Sequence, residues 1–150
     1  MSIGERLSSA YFSHFLTMNG MPAAAFTGGQ AGILTDNNPG NAEILEINTS
    51  RIRKALSEGK ITVVAGFQGV TSEGDVRTLG RGGSDTSAVA LGSSLGAEVV
   101  EIYSDVDGIA NCDHAKSPKP FLWTQSVSRK FFLWHMKAVR LYKQVQLKLH

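Results

Sequence analysis

The spacing of apolar residues predicts an alternation of helices and short strands over the first two thirds of the chain. Four large apolar residues recur at helical spacing within the first predicted helix, Gly4–Asn19: Leu7, Tyr11, Phe15 and Met18. Two further helices are predicted over Arg51–Ser57 and Ala88–Leu95. Five apolar or alternating stretches are predicted to be extended: Ala23–Thr27, Gly32–Thr35, Ala42–Ile47, Ile61–Phe67 and Glu98–Tyr103.

Strand and helix alternate most clearly over residues 61–103, where two apolar strands flank one helix. Thr71–Arg77 interrupts this unit as a polar, hairpin-like loop. A strand–helix–strand unit typically forms a parallel sheet, and ligands collect beyond the carboxyl ends of its strands. The loops 78–87 and 104–108 each follow a predicted strand, so we expect them to meet at one edge of the sheet.

The loop before the third helix is rich in glycine and carries one arginine: Thr78-Leu79-Gly80-Arg81-Gly82-Gly83-Ser84-Asp85-Thr86. Ser84 or Asp85 is expected to cap the helix, whose first-turn amides and positive dipole end favour an anion. Arg81 adds a planar guanidinium that suits a carboxylate or a phosphate. The loop therefore predicts an anion site, although a capped helix after a glycine turn explains the same spacing.

Length and composition restrict the class of protein. At 150 residues and 42% hydrophobic content, the chain is long enough for one domain with its own core. Its single cysteine, Cys112, excludes an internal disulfide and favours a reducing compartment. The first residues lack the pattern of a secretory leader, and no apolar run approaches membrane-spanning length. We therefore expect a cytoplasmic protein without a membrane partner.

Charge divides the chain into two unequal parts. Residues 1–113 contain 7 basic and 13 acidic residues, whereas residues 114–150 contain 8 basic residues and no acidic one. All 16 glycines lie at or before Gly108, and both tryptophans lie after it. The interleaved basic and aromatic residues of the second part are also typical of nucleic-acid or anionic-surface binding. Such a break indicates two segments of different origin or purpose.

A short acidic turn, Asp105-Val106-Asp107-Gly108, follows the last predicted strand. A calcium loop of the EF-hand type needs further oxygen ligands and a terminal glutamate, which do not follow here. A strand-ending turn or a nucleotide contact explains the two aspartates better. No metal site is therefore predicted from the chain's own residues.

Several motifs in one order resemble the aspartate kinases of the amino acid kinase superfamily, across roughly residues 3–120. They are Gly4-Glu5-x-Leu7-Ser8, Thr27-Gly28-x-Gln30-Ala31-Gly32, Gly40-Asn41-Ala42, Val64-Ala65-Gly66-Phe67-Gln68-Gly69, the glycine loop and Tyr103-Ser104-Asp105-Val106-Asp107-Gly108. The resemblance implies a three-layer α/β sandwich around a mainly parallel sheet. It also implies ATP-dependent phosphorylation of the aspartate side-chain carboxylate, the first step toward lysine, threonine and methionine, with Mg²⁺ bridging the nucleotide phosphates.

The resemblance implies a role for each matching residue of the amino-acid pocket. Arg81 would pair with a substrate carboxylate, with Gly82-Gly83 beside it. Ser84 and Asp85 would hold the substrate at the reacting centre, with Asp85 as the catalytic residue, and Glu5 would meet the substrate ammonium. These charges suit a reaction that depends mainly on positioning and charge neutralisation.

The match to the nucleotide pocket is less complete. Ser104 and Asp105 match the pair that contacts the nucleotide, whereas Ala110 stands where the family usually has a tyrosine near the adenine. A family arginine aligns with Ala115, and the chain starts after the family's first strand, which carries a phosphate-stabilising lysine. We therefore expect a partial kinase domain that binds aspartate and ATP with impaired turnover. The alternative is a non-catalytic remnant that binds small anions or another kinase subunit.

The resemblance ends near Lys119, and residues 121–150 form a basic aromatic tail. A frameshift in the gene is one explanation. One permitted coding of residues 134–141, read in a shifted frame, gives a string ending in Gly-Cys-Lys-Val, which is similar to the Gly-Ala-Lys-Val of a family helix. The rival interpretations are a nucleic-acid or membrane-surface arm and an ordinary C-terminal helix. We do not expect nucleic acid as a partner, and a second copy of the chain is a candidate partner.

Overall fold

Three helices and eight strands make up the part of the chain that the computed structural model describes, residues 2–103, 109–110 and 122–123. The helices are α1 (Ile3–Met18), α2 (Ser50–Ser57) and α3 (Gly83–Leu95). The strands are β1 (Ala23–Phe26), β2 (Ile33–Thr35), β3 (Ile44–Ile47), β4 (Ile61–Val64), β5 (Gln68–Val70), β6 (Val76–Thr78), β7 (Ile109–Ala110) and β8 (Leu122–Trp123). The three predicted helices and the first four predicted strands are therefore confirmed, with shifted ends.

These strands form a parallel pair, a mixed sheet and an antiparallel pair. β1 and β4 run parallel, with Ala23 opposite Ile61 and Phe26 opposite Val64. The mixed sheet has the order β3-β2-β5-β6, in which β2 and β5 are parallel and each edge strand is antiparallel to its neighbour. β7 pairs antiparallel with β8. Helices pack on the parallel strands, so the predicted α/β class is confirmed.

The polar segment Thr71–Arg77 is a hairpin, as predicted, but its strands extend beyond the predicted loop. β5 and β6 pair from Gln68 opposite Thr78 to Val70 opposite Val76. The predicted strand Ile61–Phe67 is correspondingly shorter, because β4 ends at Val64. The hairpin thus lies between β4 and the glycine loop.

The hydrophobic core joins β2 and β3 to α2 and α3. Its buried members are Ala31, Ile33, Ala42, Ile44, Ile52, Leu79, Ala90 and Leu91. Full burial of one large aliphatic side chain contributes about 1.5–3 kcal/mol. Because Leu79 belongs to this cluster, the core supports the start of the glycine loop directly.

Helix α1 packs on β1 and β4 through small residues rather than through its apolar stripe. Its buried residues are Ser9, Ser13 and Leu16. β1 has the sequence Ala-Ala-Ala-Phe, so a helix with a small inward face can approach it closely. The Ser9 hydroxyl donates to the Arg6 carbonyl at 2.9 Å, which satisfies it within the helix.

The predicted apolar stripe of α1 consequently faces outward. Six large apolar side chains of this helix are between 55% and 75% exposed: Ile3, Leu7, Tyr11, Phe12, Phe15 and Met18. We call this set the α1 apolar face. Despite its apolar character, neither α1 nor any other helix in the described residues is long and apolar enough to cross a lipid bilayer.

The strand predicted over Glu98–Tyr103 is wrong. This described segment contains no strand, and Val99 and Tyr103 are 71% and 89% exposed. Gly96 ends α3 with a φ of 73°, and the chain then returns so that Val100 lies against Gly92. One valine of the apolar run packs on the helix while its neighbours face outward. The strand–helix–strand unit predicted over residues 61–103 is therefore not formed.

Candidate active site

The glycine loop leads directly into α3. Gly80 and Gly82 have φ values of 78° and 69°, in the left-handed region that glycine adopts without strain. Gly83 begins the helix and packs beneath Phe67, where an added β-carbon would lie 2.8 Å from Phe67 Cδ2. Glycine is therefore required here both for the turn and for close packing.

The predicted cap by Ser84 or Asp85 is wrong. The cap position is Gly82, and no side chain caps the helix. The helix begins at Gly83, one residue before Ser84, so both polar residues lie inside its first turn. Gly82 instead contributes its carbonyl, which accepts from the Thr86 amide at 3.0 Å and from the Thr86 hydroxyl at 3.1 Å. The side chains of Ser84 and Asp85 thus remain available to a ligand.

Arg81, Ser84 and Asp85 are all exposed at the surface of the loop. Both ion pairs among the described residues lie outside the loop. Helix N-termini attract anions because the first-turn amides lack intrahelical acceptors. The loop therefore has an exposed guanidinium next to a helix N-terminus in the sequence.

Phe67 fixes the position of the loop. Its amide donates to the Ser87 hydroxyl oxygen at 3.0 Å, and its carbonyl accepts from the Leu79 amide at 3.0 Å. The Ser87 hydroxyl in turn donates to the Gly83 carbonyl at 2.6 Å. Phe67 has a φ of 64°, which is uncommon for a residue with a side chain. These hydrogen bonds hold Phe67 in that conformation and tie it to both ends of the glycine loop.

Glu5 lies in the first turn of α1 and is half-buried. Its Oε2 atom is buried and has no hydrogen-bond partner among the described residues. A buried polar atom without a partner costs about 1–3 kcal/mol, more when it is charged. This oxygen is therefore suited to accept a hydrogen bond from a ligand.

The segment Gly66–Gln68 separates Glu5 from the glycine loop and contacts the elements on both sides. On one side, a β-carbon on Gly66 would lie 3.3 Å from Ser84 Cα. On the other, the Gln68 side chain bonds to the first turn of α1, at Arg6 and Ser2. The predicted substrate residues Glu5, Arg81, Gly82, Gly83, Ser84 and Asp85 thus belong to two helix starts joined through one segment.

The predicted nucleotide residues are described only in part. Ser104 and Asp105 lie outside the described residues, and Ala110 is described as the backbone of β7. Their expected meeting with the glycine loop stays a prediction.

Among the described residues, two titratable groups have shifted pKa values, and both are at the surface. A hydrogen bond from Lys60 lowers the pKa of Glu58, and a hydrogen bond to Glu101 raises the pKa of Tyr103. Neither group belongs to the predicted substrate residues.

Sequence reasoning missed the connecting roles of Phe67, Gln68 and Ser87. The stretch Val64–Gly69 was recognised only as a motif, and its sequence does not predict that Phe67 has a positive φ. Ser87 is 2% exposed and Gln68 is 1% exposed. Polar residues inside a glycine-rich region suggest loops, and only the tertiary contacts reveal that these two are buried partners.

Comparison with known proteins places this geometry in a family. The sequence profile of the amino acid kinase family matches residues 1–124. The aspartokinase of Corynebacterium efficiens is 55% identical over 114 residues, covering 75% of this chain and 27% of that protein. Aspartokinase 1 of Bacillus subtilis is 49% identical over 113 residues, covering 75% of this chain and 28% of that protein. E. coli aspartokinase III in complex with aspartate and ADP superposes with a TM-score of 0.68 at 31% identity, over 78% of this chain and 27% of that one.

The chain spans about a quarter of the length of the curated relatives that it matches. The profile match nevertheless includes every helix and strand described above. By fold and by sequence, the chain belongs to the amino acid kinase family.

Proposed function

We propose that the chain is part of the catalytic domain of an aspartate kinase, which transfers a phosphoryl group from ATP to the aspartate side-chain carboxylate. One observation carries the proposal: the loop that carries the exposed Arg81 and the helix turn that carries Glu5 both contact Gly66–Gln68, and the buried Oε2 of Glu5 has no hydrogen-bond partner among the described residues. A cation and an anion in this arrangement suit the carboxylate and ammonium of an amino acid. Its curated relatives include aspartokinases, and one related structure contains aspartate and ADP.

The α-carboxylate and the ammonium of aspartate then each have a partner of opposite charge. Arg81 binds the α-carboxylate of aspartate, and the Glu5 carboxylate accepts hydrogen bonds from the ammonium. Ser84 and Asp85 hold the substrate at the reacting centre, where the positive end of α3 stabilises the charge of the side-chain carboxylate. That carboxylate attacks the γ-phosphorus of ATP, and ADP leaves. The protein contributes mainly by positioning and by neutralising charge.

ATP would lie beside Ser104, Asp105 and Ala110, and Mg²⁺ would accompany its phosphates. When bound, such an ion would neutralise charge on the phosphoryl group. Such an ion needs one or two protein carboxylates besides the phosphates, and Asp85 is an exposed carboxylate in the loop. In residues 2–103, 109–110 and 122–123, no group of three His, Cys, Asp or Glu could hold a metal alone. The exposed Asp85 carboxylate therefore fits an ion that binds together with the nucleotide.

Titration of L-aspartate into the protein, followed by calorimetry, tests the proposal. Wild-type protein should bind aspartate, and Arg81→Ala should weaken binding by roughly ten- to a hundredfold, as for loss of a charge-assisted hydrogen bond. Arg51→Ala is the matched control, since Arg51 is an exposed arginine of α2, outside the loop. Equal binding by both variants, or no binding by the wild type, contradicts the proposal.

We further propose that residues 1–120 form the kinase part of the chain and that residues 121–150 arise from a shifted reading frame. The change in charge and in glycine content between the two parts supports this boundary. Sequencing the encoding DNA tests it. A single-base change near codons 117–121 should restore the family pattern, and the absence of such a change would refute the frameshift.

We also propose that the protein self-associates through the α1 apolar face. Exposed apolar patches of this kind mark interaction surfaces. Residues 7–35 contain no Lys, Arg, Asp or Glu, so two copies of the face can meet without repulsion between like charges. Symmetric dimers use the same patch on both partners, which a neutral apolar face permits.

A further inference from the structure

Gln68 is a buried polar side chain at the point where the two halves of the candidate site meet. It is only 1% exposed. Its Oε1 atom accepts from Arg6 Nε at 2.9 Å, and its Nε2 atom donates to the Ser2 carbonyl at 3.2 Å. A guanidinium can only donate and a carbonyl can only accept, so both partners require this orientation of the amide. The Gln68 side chain therefore forms two hydrogen bonds to the start of α1.

The two residues that bond to Gln68 lie on either side of Glu5 in the sequence. Ser2 precedes α1, Arg6 follows Glu5 in the same turn, and both bond to Gln68. The buried Oε2 of Glu5 has no hydrogen-bond partner in the described part of the chain. The location of this carboxylate is thus set by the turn that carries it, and Gln68 holds that turn.

The backbone at Gln68 has little freedom to move. A β-carbon on Gly28 would collide with the Gln68 carbonyl, so the turn before β2 lies directly against this peptide group. Phe67, the preceding residue, is bonded to Ser87 and Leu79 at either end of the glycine loop. A displacement of Gln68 would therefore disturb the glycine loop as well.

We propose that Gln68 is a positioning residue for the amino-acid substrate, which sets the Glu5 carboxylate at a fixed distance from Arg81 and the start of α3. The inference rests on the proposed aspartate site and adds a residue that affects aspartate binding without touching the substrate. Its physical basis is that a binding site for two opposite charges needs a fixed separation between them. Small errors of placement in such sites have large effects on binding and rate.

The test compares Gln68→Ala with Gln30→Ala. Gln30 is an exposed glutamine whose Oε1 accepts from Thr27 N within its own turn, at 3.0 Å, so its loss leaves α1 untouched. Gln68→Ala should weaken aspartate binding by about tenfold, as for one lost buried contact, and leave ATP binding unchanged. Gln30→Ala should bind both ligands like the wild type.

A double-mutant cycle with Arg6→Ala distinguishes positioning from general destabilisation. If Gln68 acts through Arg6, the double variant should bind aspartate no more weakly than Gln68→Ala alone, because that variant already removes the contact to Arg6. Equal aspartate affinity in Gln68→Ala and Gln30→Ala would overturn the inference. A parallel loss of aspartate and ATP affinity in Gln68→Ala would overturn it too, since it would indicate a structural role alone.

Amide hydrogen exchange separates this inference from the proposed function. Gln68→Ala should accelerate exchange in residues 3–8, and Gln30→Ala should not. If exchange responds in this way while the wild type binds no aspartate, the positioning contact stands and the aspartate kinase assignment fails. If exchange in residues 3–8 is unchanged, the positioning role is wrong whatever ligand the site binds.

Discussion

Single residues at the glycine loop show which parts of the site follow from sequence. Arg81 and its flanking glycines signal an anion site because their chemistry is local: a guanidinium, flexible backbone and a following helix. The choice of cap was wrong because it required the helix to begin after Ser84 or Asp85, whereas the helix begins at Gly83. The connecting roles of Ser87 and Gln68 gave no local signal, since Phe67 lies 20 positions from Ser87 and Arg6 lies 62 positions from Gln68.

Ser87 should contribute more to stability than another serine of the same helix with the same local hydrogen bond. Ser87→Ala leaves the Phe67 amide without its acceptor, which costs about 1–3 kcal/mol in free energy of unfolding. Ser94 donates to the Ala90 carbonyl at 2.8 Å, also four residues earlier. Ser94→Ala should therefore cost less than about 1 kcal/mol. Urea unfolding of both variants measures the difference, and equal losses would show that the Ser87–Phe67 bond is unimportant.

Among the elements, amphipathic and apolar periodicity located the three helices and the first four strands correctly. The same periodicity failed at Glu98–Tyr103, where a run of apolar residues indicated a buried strand. In the described structure this segment forms no strand, and its Val100 packs on α3. The periodicity also located α1 correctly without revealing which face is buried. The inward face is decided by the small residues of β1, which the helix pattern does not contain.

Arg53 of α2 forms hydrogen bonds to the end of α3. Arg53 Nη2 donates to the Ser94 and Leu95 carbonyls at 3.1 and 3.0 Å, where the negative end of the α3 dipole favours a cation. Arg53→Ala should lower the free energy of unfolding by about 1 kcal/mol, a modest value because Arg53 is exposed. Thermal unfolding against Arg51→Ala, on the same helix, provides the comparison. An equal change in both variants would show that the link between α2 and α3 contributes nothing.

For the molecule as a whole, the α/β class followed from the alternation of elements, and the family followed from several short motifs in one order. The α1 apolar face did not follow, because a stripe of large apolar residues normally marks the buried side of a helix. A stripe of apolar side chains that is exposed on a surface without charges is instead typical of a protein–protein interface.

Self-association should depend on this face. Light scattering should give the mass of a dimer for the wild type and of a monomer for Phe15→Asp, which places a charge in the middle of the face. Val99→Asp is the control, since Val99 is a similarly exposed apolar residue outside α1. A dimer that survives Phe15→Asp, or a wild type that is monomeric at all concentrations, would contradict the proposed interface.

The central claim is that Arg81 and Glu5 bind opposite charges of one amino acid, and ligand discrimination tests it most directly. Calorimetry would compare L-aspartate with β-alanine, which lacks the α-carboxylate, and with succinate, which lacks the ammonium. Wild-type protein should prefer aspartate to both; Arg81→Ala should lose the preference over β-alanine, and Glu5→Gln the preference over succinate. If Arg81→Ala still prefers aspartate to β-alanine, or Glu5→Gln still prefers aspartate to succinate, the two residues do not form the aspartate site.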